Sequence, residues 1–125
     1  EVESASLDDE DFEFTGKKLQ AYTFKGVRYS VTTWKEMLIK LCCNIIIEKR
    51  STMEWLCANE KCYCSASPEN GRTEFAKGMF IWSDNSTSSK IDILHRIFAE
   101  CNIPPSELSF EFRNDNEDIV VENIV

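Results

Sequence analysis

The chain has 125 residues, 42% of them hydrophobic, with eight Phe, three Trp and three Tyr; this suffices for one domain with a real core and excludes disorder for its middle. The formal charge of −8 sits at the ends: all seven charged residues of positions 1–14 are acidic, as are all four of positions 114–125, whereas positions 15–113 carry every Lys and Arg and a net charge of about +3. No apolar run approaches the roughly 20 residues of a membrane span, and the four glycines stand singly, which excludes a Gly-rich phosphate loop.

Positions 1–14 read as an acidic linker or disordered lead-in, positions 15–113 as a single domain, and positions 114–125 as an acidic, β-prone tail. A chain that opens on Glu1 rather than Met fits an excised or processed module of something longer. Within the domain, Gln20 to Val31 alternates around Lys25-Gly26, which predicts a hairpin with Tyr22, Phe24, Val27, Tyr29 and Val31 on one face and a positive φ at Gly26. Thr33-Trp34-Lys35-Glu36 matches a capping box, and Trp34, Met37, Leu38, Leu41, Cys42, Ile45 and Ile46 follow at helical spacing. Ser51-Thr52-Met53-Glu54 repeats the box and predicts a second short helix through Trp55, Leu56 and Cys57.

Signals mix from Lys61 to Phe75, with a possible short strand at Cys62-Tyr63-Cys64 and loop chemistry at Ser67 to Gly71. Met79 to Trp82 reads as a buried strand. Ser86 to Ser89 offers an N-cap for a helix with Ile91, Leu94, Ile97, Phe98 and Cys101 on one side, Asn102 as its left-handed end and Pro104-Pro105 as its stop. Ser109 to Arg113 alternates like a last strand, and Ile119-Val120-Val121 could add an edge strand. The expected fold is α+β: a small, mostly antiparallel sheet from the hairpin, the Met79 segment and the Phe110 segment, with two main helices packed on one face.

Three constellations bear on function. Lys17, Lys18, Lys25 and Arg28 gather on or before the hairpin and are the candidate phosphate contacts of a nucleic-acid surface, although a body charge near +3 is modest for that role. Cys57, Cys62, Cys64 and Cys101 form an alternative metal site, but a one-residue gap in an extended segment points Cys62 and Cys64 to the same side, which is not the paired spacing of zinc sites. His95, the only His, has Asp92 three residues before it on the same helix, and a small hydrolase would add to this pair a nucleophile from elsewhere. Six Cys, two of them adjacent at Cys42 and Cys43, fit reduced thiols in a cytoplasmic protein better than a disulfide framework.

The entry segment Phe14-Thr15-Gly16-Lys17-Lys18, the hairpin Phe24-Lys25-Gly26-x-Arg28-Tyr29, the Trp34-Lys35 helix start and the Ser88-Ser89 helix running to Pro104-Pro105 give the region from Phe14 to Arg113 a layout that resembles small accessory modules appended to bacterial restriction, DNA-modification and phage-defence proteins. The resemblance brings no catalytic motif and transfers no site. It implies a passenger or targeting domain. The expected function is a non-catalytic interaction or targeting module of a larger bacterial cytosolic protein, with parent-chain domains or a protein partner, nucleic acid as a further partner, and no cofactor.

Overall fold

The computed structural model describes residues 2–59 and 62–114. In chain order they form β1 (Glu3–Ser6), β2 (Leu19–Phe24), β3 (Val27–Ser30), α1 (Trp34–Ala58), β4 (Cys64–Ser65), β5 (Arg72–Ala76), β6 (Met79–Trp82), α2 (Thr87–Cys101), a 3-10 turn at Pro105–Glu107, and β7 (Leu108–Phe112). The fold is α+β, and all strand pairings are antiparallel. Leu38, Leu41, Leu94 and Phe98 share one buried interior, and Trp34 packs against it half-buried. Among the described residues no helix is long and apolar enough to cross a membrane.

The expected single sheet is two sheets. One has the order β1-β7-β2-β3, and the other, β4-β6-β5, takes the Met79 segment away from the first. The reason is local: Lys77-Gly78, with Gly78 at φ +74, closes a second hairpin that pairs Ala76 with Met79, so β6 finds its partner next door in sequence. The strand β5, absent from the sequence reading, is the other arm of that hairpin.

The first sheet follows from its alternation. Leu108, Phe110 and Phe112 are the buried faces of β7, which lies between β1 and β2. Leu19 and Tyr22 both pair with inward-facing β7 residues, Phe112 and Phe110, although they are an odd number of positions apart. A bulge between Leu19 and Ala21 supplies the extra residue that reverses the parity of β2. The predicted hairpin forms with Tyr22 opposite Tyr29 and Phe24 opposite Val27; both turn residues, Lys25 and Gly26, have positive φ, as the right-handed twist of such a ribbon requires.

The described residues of the expected lead-in, 2–14, belong to the folded body. Glu3–Ser6 pairs along β7, the Leu7 amide donates to the Leu108 carbonyl at 2.9 Å, and Ala5, Leu7 and Phe14 are buried in the common core. The acidic residues Asp8 to Asp11 cluster in the exposed connection, while the apolar residues on either side anchor it. Phe12 stacks on Phe112 with ring centroids 5.4 Å apart. The expected tail begins at Asn114, and the β-prone Ile119-Val120-Val121 lies outside the described residues.

The two helical segments expected between Trp34 and Asn59 both form, joined end to end as α1. A non-helical residue, Lys49 (φ −124, ψ 35), kinks α1 where the break was expected, but the buried stripe runs on through Met53, Leu56 and Cys57 at three- and four-residue steps, so both segments stay on the core. At its start Thr33 Oγ1 accepts from the Glu36 amide at 3.0 Å, while the Glu36 carboxylate reaches back to the Thr32 amide at 2.9 Å, one residue earlier than the usual box. The second helix is capped as expected: Ser86 Oγ accepts from the Ser89 amide, and Asn102 ends it at φ 57, with the Ile103 amide donating to Phe98 O.

Candidate interaction surface

The four predicted phosphate contacts do not form one patch. Lys17 and Lys18 precede β2 and Lys25 follows it, so the six-residue strand holds them roughly 20 Å apart. Lys17, Lys25 and Arg28 meet carboxylates of their own chain. Lys17 Nζ lies 2.9 Å from Glu3 Oε1, Lys25 Nζ pairs with the Glu48 carboxylate, and Arg28 forms a bidentate pair with Glu111 at 2.8 and 3.2 Å. Lys18 is exposed and, with Lys17, Glu3 and Arg113, lines an open polar cleft of about 430 Å³. A phosphate at Lys25 or Arg28 would compete with a carboxylate already paired there.

These pairs make a pH prediction. The hydrogen bond from Arg28 holds the Glu111 carboxyl below its ordinary range, and Lys25 does the same for Glu48. A carboxyl whose folded value is depressed stabilises the fold above its unfolded value and loses that contribution as pH falls through the folded value. Acid unfolding followed by circular dichroism is expected to begin at higher pH in Arg28→Leu than in the parent chain. Coincident acid limbs would show that the pair adds nothing.

The cysteines do not assemble as the metal alternative required. Cys57, near the end of α1, and Cys64, in β4, are buried. Cys62, however, is exposed, its sulfur 3.7 Å from Arg96 Nη1, and Cys101 Sγ faces Met53 Sδ at 4.0 Å. The expectation that Cys62 and Cys64 share a face assumed extended backbone from Cys62, but residues 62–63 turn and the strand begins at Cys64. Among the described residues no group of three or more His, Cys, Asp or Glu could hold a metal ion. His95 and Asp92 are both exposed on α2, away from the buried Cys101.

Burial sets the character of the remaining titratable groups. It pushes the Tyr63 phenol up to about 12 and raises the Tyr22 phenol as well, whose oxygen donates to Asn44 Oδ1 at 2.6 Å. Lys90 is almost fully buried; its Nζ donates to the Asn85 carbonyl at 2.7 Å, and its pKa is lowered by burial. No sequence signal singles out Lys90, which follows the polar run Ser86 to Ser89 at the start of α2.

Two large apolar side chains of α1 remain at the surface, one on each side of the Lys49 kink: Ile47 is 79% exposed and Trp55 49%. Trp55 borders a shallow cleft of about 360 Å³ with Ser51, Thr52 and, from α2, Glu100. Glu100 also lines a neighbouring cleft of about 320 Å³ with Cys62, Tyr63 and Arg96. The end of α1 and the outer side of α2 thus present a continuous, partly apolar surface. Comparison with family models, curated proteins and solved structures finds no match for this chain.

Proposed function

We propose that this chain is a non-catalytic interaction module of a larger bacterial cytosolic protein, and that it meets a protein partner or a neighbouring domain through the surface around Ile47 and Trp55. The observation that carries the reading is the pair of exposed apolar side chains on a helix whose opposite side is fully committed to the core. An isoleucine held in water forgoes roughly 2 kcal/mol of burial, and a half-exposed tryptophan beside a cleft is the kind of anchor that dominates protein interfaces. The six free thiols support a reducing compartment. Nucleic-acid assistance has less support, because Lys17, Lys25 and Arg28 are already matched by Glu3, Glu48 and Glu111.

The test uses a photo-crosslinking amino acid in place of Ile47, and separately of Arg28, in the chain expressed within its parent protein. Crosslinks to a defined polypeptide at position 47 and not at position 28 are expected. A parallel titration of labelled DNA and RNA at low salt should show no binding at tens of micromolar. Tight nucleic-acid binding with no crosslink at position 47 would reverse the assignment.

A further inference from the structure

The outer side of α1 is self-complementary about a point near its kink. We propose that this surface takes a second copy of the chain, with the two α1 helices antiparallel about a two-fold axis beside Ser51 and Thr52; this rests on the reading of the surface around Ile47 and Trp55 as an interface. Ile47, Arg50, Ser51, Glu54 and Trp55 are all exposed. They follow at three- and four-residue steps, so they lie along one side of the helix in spite of the non-helical Lys49. In an antiparallel pair each residue meets, on the other copy, the residue as far beyond the axis as it lies before it. Ile47 and Trp55 are equidistant from position 51, and Arg50 and Glu54 from position 52. The axis therefore falls on two small side chains, Ser51 and Thr52, where the helices can approach closely.

Each half of this surface matches the other in shape and in charge. Ile47, 79% exposed, is a projecting apolar side chain. The cleft of about 360 Å³ bordered by Trp55, Ser51, Thr52 and Glu100 is the hollow that receives it, and the two-fold makes this contact twice. Arg50 of one copy then faces Glu54 of the other. Within a single chain these two are 4.0 Å apart with 60% and 56% of their side chains exposed, a loose pair that costs little to exchange for one between copies. A parallel arrangement would instead set Arg50 against Arg50 and Glu54 against Glu54, which repels. With one Ile and one Trp per copy as anchors, the interface belongs at the small end of specific ones, and a Kd on the order of tens of micromolar is expected.

Sedimentation equilibrium of the 125-residue chain at concentrations up to about 300 µM should give a monomer–dimer curve with that Kd. Ile47→Asp should leave the circular dichroism spectrum unchanged, since the side chain already stands in water, and raise the Kd at least about tenfold. Arg50→Glu should raise it about fivefold, and Arg50→Glu/Glu54→Arg should restore it, because the reversed charges again face each other. In a Cys43→Ser/Cys62→Ser background, which lacks both exposed thiols, Ser51→Cys beside the axis should form a disulfide-linked dimer on mild oxidation. Ser88→Cys, exposed on α2, should not. A dimer that survives Ile47→Asp, or equal bridging from positions 51 and 88, would overturn the proposal. A chain that stays monomeric overturns the second-copy assignment alone if position 47 still crosslinks to a different polypeptide, and overturns the reading of this surface as an interface if it crosslinks to none.

Discussion

Removing residues 1–14 is expected to destabilise the protein by at least about 4 kcal/mol, because Leu7 and Phe14 each contribute on the order of 2–5 kcal/mol as buried side chains. Leu7 is 1% exposed and Phe14 7%, and the Phe14 ring meets Phe110 edge-on with centroids 5.5 Å apart. The deletion also strips β7 of its β1 neighbour and leaves the Leu108 carbonyl without the Leu7 amide, so an interior strand becomes an exposed edge. Against a total stability of about 5–15 kcal/mol, that loss is a large fraction. Urea unfolding should show the midpoint falling by roughly 2 M or more. An unchanged midpoint would return these residues to the status of a linker.

The Phe110→Ala substitution has the second largest expected effect. Phe110 is fully buried, its ring lies 5.3 Å from that of Trp34, and its Cα partners are Ala5 on one side and Tyr22 on the other. It thus joins the amino-terminal strand, the hairpin and the start of α1 in one contact. Truncation to Ala leaves a cavity and should cost about 3–5 kcal/mol, which for a domain of this size lowers Tm by roughly 12–20 °C. Phe110→Leu should recover most of that. A fall of only about 1 kcal/mol would mean that the site collapses freely and that the aromatic group adds little beyond its volume.

Much of the fold was legible because local rules and packing agreed. The Trp34 helix, the Ser86 cap, the Asn102 stop and the Lys25-Gly26 hairpin are each set by residues within a few positions of one another, and each appears as expected. What was not legible depends on partners far along the chain. The bulge at Leu19 to Ala21 matters only because β7 lies beside β2, and β1 is a strand only because β7 offers it a free edge. The acidic composition of the first residues pointed the other way, since charge in a surface connection and charge in a disordered linker look alike in a sequence.

The candidate site was less legible than the fold. Lys17, Lys25 and Arg28 drew attention as cations, but their carboxylates, Glu3, Glu48 and Glu111, are distant in sequence. Ile47 could have been found, since it falls off the apolar stripe that Ile45 and Ile46 continue. Trp55 is less legible, because the cleft beside it takes Glu100 from α2, distant in sequence. The different burial of Cys62 and Cys64 depends on β4 beginning after a turn, which the alternation of Cys62-Tyr63-Cys64 conceals.

Amide hydrogen exchange at Leu7 tests most directly the claim that the acidic amino-terminal segment completes the body. Its N–H is bonded to Leu108 O at 2.9 Å, so its protection should match that of the β7 amides and disappear only with global unfolding. Exchange of the Leu7 amide at the rate of an unstructured peptide, while β7 stays protected, would contradict the account.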